Sequence, residues 1–144
     1  MSEPAKHSIS VAAAIVDEHG HVLATRRADN GHWEPPGGVL ELEEDIEAGL
    51  RREVLEETGL TVEVDRLTGV YKNMRRGIVA LVFRCRVAGG RLGSSDEVRE
   101  CRWMTEAEIS AHMDEAYAVR LLDALQVDLA PRVRAHDGTS LLGS

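Results

Sequence analysis

Residues 38–60 read GVLELEEDIEAGLRREVLEETGL, and the spacing inside this stretch decides how the chain folds. From about Asp45 to Thr58 the pattern predicts one helix. Asp45 can cap its first turn with a carboxylate, and Gly59 can end it in a left-handed conformation. At ~100° per residue, Glu53, Glu56 and Glu57 stand at i, i+3 and i+4 on one face. Ile46, Leu50 and Val54 drift around the neighbouring arc and are expected to face the core. The carboxylates therefore lie beside the buried stripe, not opposite it. Gly49 shares their face, where its missing side chain leaves room.

Like charges at these offsets destabilise a helix by roughly 0.2–0.5 kcal/mol per pair. Partial burial raises that cost, because each carboxylate also loses water. A positive charge must offset it. A hard divalent cation such as Mg²⁺ takes carboxylate oxygens and keeps waters and substrate phosphates in its shell. Arg52 is the other available counter-charge, about a quarter turn from Glu53. An acidic, solvated face held by surface salt bridges would use the same residue types. The acidic helix face alone leaves the two readings level; Gly38, Glu44, Arg52 and Gly59 stand at fixed offsets around it.

Those offsets match the Nudix box, and the chain resembles Nudix hydrolases beyond it. Upstream, Trp33-Glu34-Pro35-Pro36-Gly37-Gly38 is similar to the family's lead into the box. Downstream, Glu97 to Trp103 is similar to its later strand ending in tryptophan. The resemblance spans about residues 8 to 125. It implies hydrolysis of a nucleoside diphosphate linked to another group, with Mg²⁺ or Mn²⁺. It makes Glu53, Glu56, Glu57 and the backbone carbonyl of Gly38 metal ligands. Arg52 would orient the glutamates, and Glu44 would support the metal shell. Two positions depart from the pattern: Glu43 stands where glycine is common, and Asp45 where serine or threonine is common.

Metal ions at such a site would lower the pKa of a bound water and neutralise diphosphate oxygens. A general base must take the proton of the attacking water. Glu53 and Glu57 inside the box, and Glu97 or Glu100 outside it, remain candidates. A non-catalytic Nudix-fold nucleotide-binding module is the alternative reading; retention of all three box glutamates favours the enzyme.

Composition narrows the partners. The chain has 144 residues and a formal net charge of −8, enough for one domain with a core and unsuited to a nucleic-acid polymer. A small-molecule nucleoside diphosphate derivative is the expected partner. Cys85 and Cys101 lack metal-type spacing and suit a reducing compartment. No apolar run has the length of a membrane span, and no signal-peptide pattern opens the chain, so a cytoplasmic protein is expected. A homodimer is compatible with the resemblance.

Along the chain, strands are expected at Ser8–Asp17, Val22–Arg27, Thr61–Val64, Leu67–Lys72, Ile78–Val87 and Glu97–Met104. Gly89-Gly90 reads as a turn. Thr105-x-x-Glu108 is a capping box opening a helix, and an amphipathic helix follows from about Glu115 to Gln126. Residues 1–130 read as a single domain and 131–144 as a tail. The alternation of elements gives α+β; the resemblance refines this to an α/β/α sandwich with a mixed central sheet.

Substrate contacts are sought among Trp33 and Tyr71, aromatic residues at loop edges on which a base could stack. Phe83 and Trp103 are assigned to the core. Arg27, which precedes the loop into the box, is the first choice among Arg26, Arg27, Lys72, Arg75 and Arg76 for forking phosphate oxygens. His19-x-His21 is read as structural. The region about sixteen residues past the box, Arg75-Arg76-Gly77, lacks the proline or tyrosine that marks some subclasses, which disfavours ADP-ribose and dinucleoside-polyphosphate specialists.

Overall fold

The computed structural model describes residues 3–128 and 130–143. Its centre is β1 (Ser8–Ile15), whose side chains alternate between two cores. Val11, Ala13 and Ile15 face one apolar cluster, and Ala12 and Ala14 face the other. This period of two is what a strand buried on both faces requires. The first cluster is closed by Leu50 and Val54 of α1 (Ile46–Thr58). The second is closed by Ile109 of α2 (Glu106–His112) and by Ala118, Leu121 and Ala124 of α3 (Glu115–Ala124). Helices on both faces of the β-structure make the expected α/β/α sandwich.

β1 belongs to a six-stranded sheet ordered β4-β1-β6-β5-β8-β9. Its other members are β4 (Gly37–Val39), β5 (Leu60–Asn73), β6 (Ile78–Gly90), β8 (Arg132–His136) and β9 (Leu141–Leu142). β1 runs parallel to β6, β5 runs parallel to β8, and the remaining pairs are antiparallel, so the sheet is mixed. A second sheet orders β3 (Trp33–Glu34), β2 (Val22–Arg27) and β7 (Val98–Met104).

Several expectations change. The two short strands anticipated after α1 are one strand, β5, with register shifts at Thr61/Val62, Val64/Arg66 and Leu67/Gly69. Each irregularity breaks the alternation that a sequence reading uses to follow a strand. Gly89 and Gly90 do not turn but finish β6 opposite Thr61 and Leu60. Ile46 is 41 % exposed, because the first turn of α1 projects beyond the core. The segment expected as a tail forms β8 and β9. Gly69 to Asn73 supply a free edge of β5, and Arg132 to His136 pair with it in register. The buried member of that segment is a histidine, His136, so no apolar pattern announced a strand.

Candidate active site

α1 begins and ends as its caps dictate. The Asp45 carboxylate accepts the Ala48 N–H at 2.8 Å, and Gly59, at φ 81°, donates its N–H to the Leu55 carbonyl at 2.9 Å. With both ends fixed, Glu53, Glu56 and Glu57 project along β4. Their environments differ. Glu53 and Glu57 are each only 9 % exposed, whereas Glu56 lies at the solvent edge.

Arg52 ties the cluster together. Its Nε and Nη2 fork the two oxygens of Glu44 at 2.9 and 2.6 Å. Its Nη1 reaches Glu53 Oε1 at 3.0 Å and Glu56 Oε2 at 3.3 Å. The guanidinium thus spans the quarter turn that separates its Cβ from the glutamate face. Hydrogen bonding to Arg52 holds the Glu44 carboxyl down at about 2, aided by the Glu41 N–H. Glu44 therefore acts on the site through Arg52.

Glu57 Oε1 accepts the Gly37 N–H at 2.7 Å. Burial nevertheless pushes its carboxyl up to about 8, against that hydrogen bond and with the help of the Glu53, Glu34 and Glu97 charges. Glu53 is raised as well, first by burial, while Arg52 opposes the shift. Two buried, mutually repelling carboxylates are thus held together beside the glycine pair of β4. A Cβ on Gly38 would stand 2.5 Å from the Glu53 carboxyl carbon, so a side chain there would have to displace this carboxylate.

The donor set fits a hard divalent cation. It consists of carboxylate oxygens and nearby backbone carbonyls, with no thiolate or imidazole of the kind that selects softer metals. Among the described residues, no three acidic, histidine or cysteine side chains already converge as an ion cage. Glu53 and Glu56 turn instead to Arg52, and Glu57 to Gly37.

Glu97 precedes β7 and lines a cavity with Glu57, Arg27, Asp29 and Asp96. Its charge acts on both Glu53 and Glu57. Glu100 points elsewhere and accepts from Arg102 at 3.0 Å. Arg27 is brought to the site, but its guanidinium is already shared by Asp29, at 2.9 and 2.7 Å, and Glu34, at 3.1 Å. Trp33 lines a cavity of about 480 Å³ with Arg27, His32 and Tyr117. Its ring carries Arg102 at 4.9 Å on one contact and Arg26 at 5.8 Å on another.

Tyr71 is a different case. It is fully buried and donates its hydroxyl to Asp123 Oδ2 at 2.7 Å, so it is not at a loop edge. The same carboxylate is forked by Arg134 Nε and Nη2, both at 2.8 Å. Phe83 and Trp103 pack, partly buried, on the α1 side of the sheet, as assigned. His19 and His21 stay in their turn beside Glu18 and Asp17.

Sequence reading missed Arg120, Tyr117 and His136, which line a second cavity of about 230 Å³ reaching Gly37 and Gly38. A signal for Arg120 existed. It sits three residues after Tyr117 and between Ala116, Leu121 and Ala124, a charge that with Asp123 interrupts an apolar helix stripe.

Comparison with known proteins agrees with this geometry. Residues 6–125 match the family model of the NUDIX domain. A MutT-like protein of Streptomyces ambofaciens is 58% identical over 98% of this chain and 91% of its own length. An ADP-ribose pyrophosphatase of Methanocaldococcus jannaschii is 32% identical over 67% of this chain and 62% of its own. A NUDIX hydrolase structure from Nitrosomonas europaea superposes with a TM-score of 0.80 at 23% identity, covering 93% of this chain and 82% of that one. The chain belongs to the Nudix hydrolase family, as a Nudix pyrophosphatase acting on nucleoside diphosphate derivatives. Members of this family in general need divalent metals.

Proposed function

We propose that this protein hydrolyses the diphosphate linkage of a nucleoside diphosphate derivative in a reaction that depends on Mg²⁺ or Mn²⁺. The observation that carries this reading is the burial of Glu53 and Glu57 on one helix face, with Glu53 against Gly38 and Glu57 bonded to the Gly37 N–H. Glu53, Glu56, Glu57 and the Gly38 carbonyl would hold the cation. Once bound, it would supply Lewis-acid stabilisation of the diphosphate and a more acidic water.

The remaining work belongs to the chain's own groups. Arg52 fixes the rotamers of Glu53 and Glu56 from behind, and Glu44 fixes Arg52. Glu97 is the general base we favour over Glu100. Its side chain makes no hydrogen bond among the described residues, and it faces Glu57 across one cavity. A carboxylate so placed can take a proton from a water lying between them. Arg27 and Trp33 border the trough along which the rest of the substrate would extend. Two free thiols support a reducing, cytoplasmic setting, and no described helix is long and apolar enough to cross a membrane.

The test is phosphate and nucleotide release from nucleoside triphosphates, nucleotide sugars, ADP-ribose and dinucleoside polyphosphates. Each is assayed with Mg²⁺, with Mn²⁺ and with chelator. ADP-ribose stays in the panel because the Methanocaldococcus jannaschii relative is an ADP-ribose pyrophosphatase. Cleavage of one class that stops with chelator supports the proposal. Nucleotide-dependent thermal stabilisation without turnover would replace it with a binding module.

A further inference from the structure

Arg120 is a buried cation without a carboxylate of its own. It is 9 % exposed, and its Nε finds no hydrogen-bond partner among the described residues. The rings of Tyr117 and Tyr71 flank its guanidinium at 4.7 and 5.6 Å, which accommodates the charge but accepts no N–H in the plane of the fork. The acids around it are engaged. Asp123 holds Tyr71 and Arg134, and Glu34 is bonded to Arg27.

The only polar neighbour within bonding distance among the described residues is His136, with Nη2 and Nε2 3.2 Å apart. That contact is a hydrogen bond only when Nε2 carries no proton. His136 Nδ1 accepts the Gly138 N–H at 3.0 Å, so a neutral ring must carry its proton on Nε2. Nε2–H then faces the Nη2–H groups, donor against donor. Burial and the Arg120 charge both hold the ring below its usual pKa, which favours the neutral form.

Asn73 adds to the same set. It pairs with His136 across β5 and β8 and lines the same cavity. Its Oδ1 accepts from the Arg75 and Arg76 N–H groups at 3.0 and 3.2 Å, which leaves its NH₂ as the remaining half of the side chain. Arg76 stands on the cavity wall. A protein of net charge −8 thus gathers Arg120, His136, Asn73 and Arg76 on the wall of one half-open cavity, beside a Glu34 already bonded to Arg27, and an unmatched buried donor there is costly.

We propose that Arg120, His136 and Asn73 form a recognition site for a phosphoryl oxyanion that the substrate carries beyond its scissile diphosphate. An anion supplies both missing elements, the acceptor atoms and the negative charge, whereas a neutral carbonyl supplies only the first. The site adjoins Gly37 and Gly38, so one ligand can span it and the glutamate cluster. His136 comes from β8, outside residues 6–125, so one of the three site residues lies beyond the segment matched by the family model. The assignment to substrate rests on the hydrolase reading; the oxyanion site itself does not.

The test uses the full chain and inorganic phosphate as probe, in chelator, read by thermal shift and calorimetry. Phosphate should raise the melting temperature of the wild type. Arg120→Met should remove that response and weaken binding about tenfold or more, while melting no lower than wild type without phosphate, because it deletes an unpaired buried charge. Arg120→Lys, which keeps the charge but not the fork, should bind more weakly than wild type. A phosphate response that survives in Arg120→Met overturns the proposal.

With Mg²⁺, KM is then compared for two diphosphate substrates that differ by one distal phosphoryl group. The wild type should favour the more anionic one, and Arg120→Met should abolish the preference. Phosphate binding without any KM preference would assign the site to free phosphate and overturn the substrate half. Loss of all turnover with the phosphate response intact would overturn the hydrolase reading instead, and leave the oxyanion site standing.

Discussion

Arg52 grips Glu44 through two parallel hydrogen bonds and turns its third nitrogen to Glu53, so one guanidinium couples a loop carboxylate to a buried one. Lysine would keep the charge but lose the fork. Arg52→Lys should weaken metal activation about 10–100-fold, the range for partners that orient ligands. The readout is the Mg²⁺ concentration giving half-maximal turnover. An unchanged midpoint would show that Arg52 does not position the glutamates.

Gly38→Ala tests the closeness of β4 to α1. The backbone there is not left-handed, so alanine is tolerated locally, but its Cβ would displace the Glu53 carboxylate. The expected stability loss is about 1–3 kcal/mol, with turnover falling far more than unfolding explains. Denaturation and initial rates measured on the same preparation separate the two effects.

Glu57→Gln keeps the shape and can still accept the Gly37 N–H, while removing repulsion with Glu53. Turnover should drop by about three orders of magnitude or more if this carboxylate takes part in phosphoryl transfer. The melting temperature in chelator should not fall. Near-normal rates in this variant and in Glu56→Gln would remove both residues from the metal site.

Tyr71→Phe distinguishes a core residue from a stacking platform. It keeps the ring and deletes the hydroxyl that Asp123 accepts, at an expected cost of about 1–2 kcal/mol. KM should not move, because no substrate reaches a fully buried ring. A raised KM at unchanged stability would return Tyr71 to the substrate site.

His136 predicts the acid side of the stability profile. Burial disfavours its charged form in the folded state, with the Arg120 charge acting in the same direction. Its contribution is therefore complete above the ordinary histidine pKa of about 6.5 and lost as pH falls below it. Denaturant midpoints at pH 7.5 and 5.5 should differ more for the wild type than for His136→Gln. Equal slopes would show that the ring does not titrate differently on folding.

The legible parts of this chain were those with local rules. The caps of α1, the capping box at Thr105 and Glu108, and the first strand all follow from neighbours in sequence. The carboxylate cluster was legible because one helix carries it. What escaped depends on distant pairings. β5 looked like two strands because its bulges interrupt alternation. Tyr71 looked accessible because Asp123, its partner 52 positions away, cannot be inferred from local pattern. Arg120 and His136 do not look like neighbours until α3 and β8 close on the same cavity.

β8 lies parallel to β5, yet about sixty residues separate Gly69 to Asn73 from the segment that pairs with them. On the ribosome, the strand that seals this edge is made after β5, β6 and the helices that pack on them. Until then β5 offers unpaired backbone along its outer side, the geometry that invites pairing with another chain. Ending the chain at residue 125, where the family match stops, would make that transient exposure permanent. A version of this protein that resists edge-to-edge association must therefore keep residues 132–142, even though none of the clustered glutamates of α1 lies there.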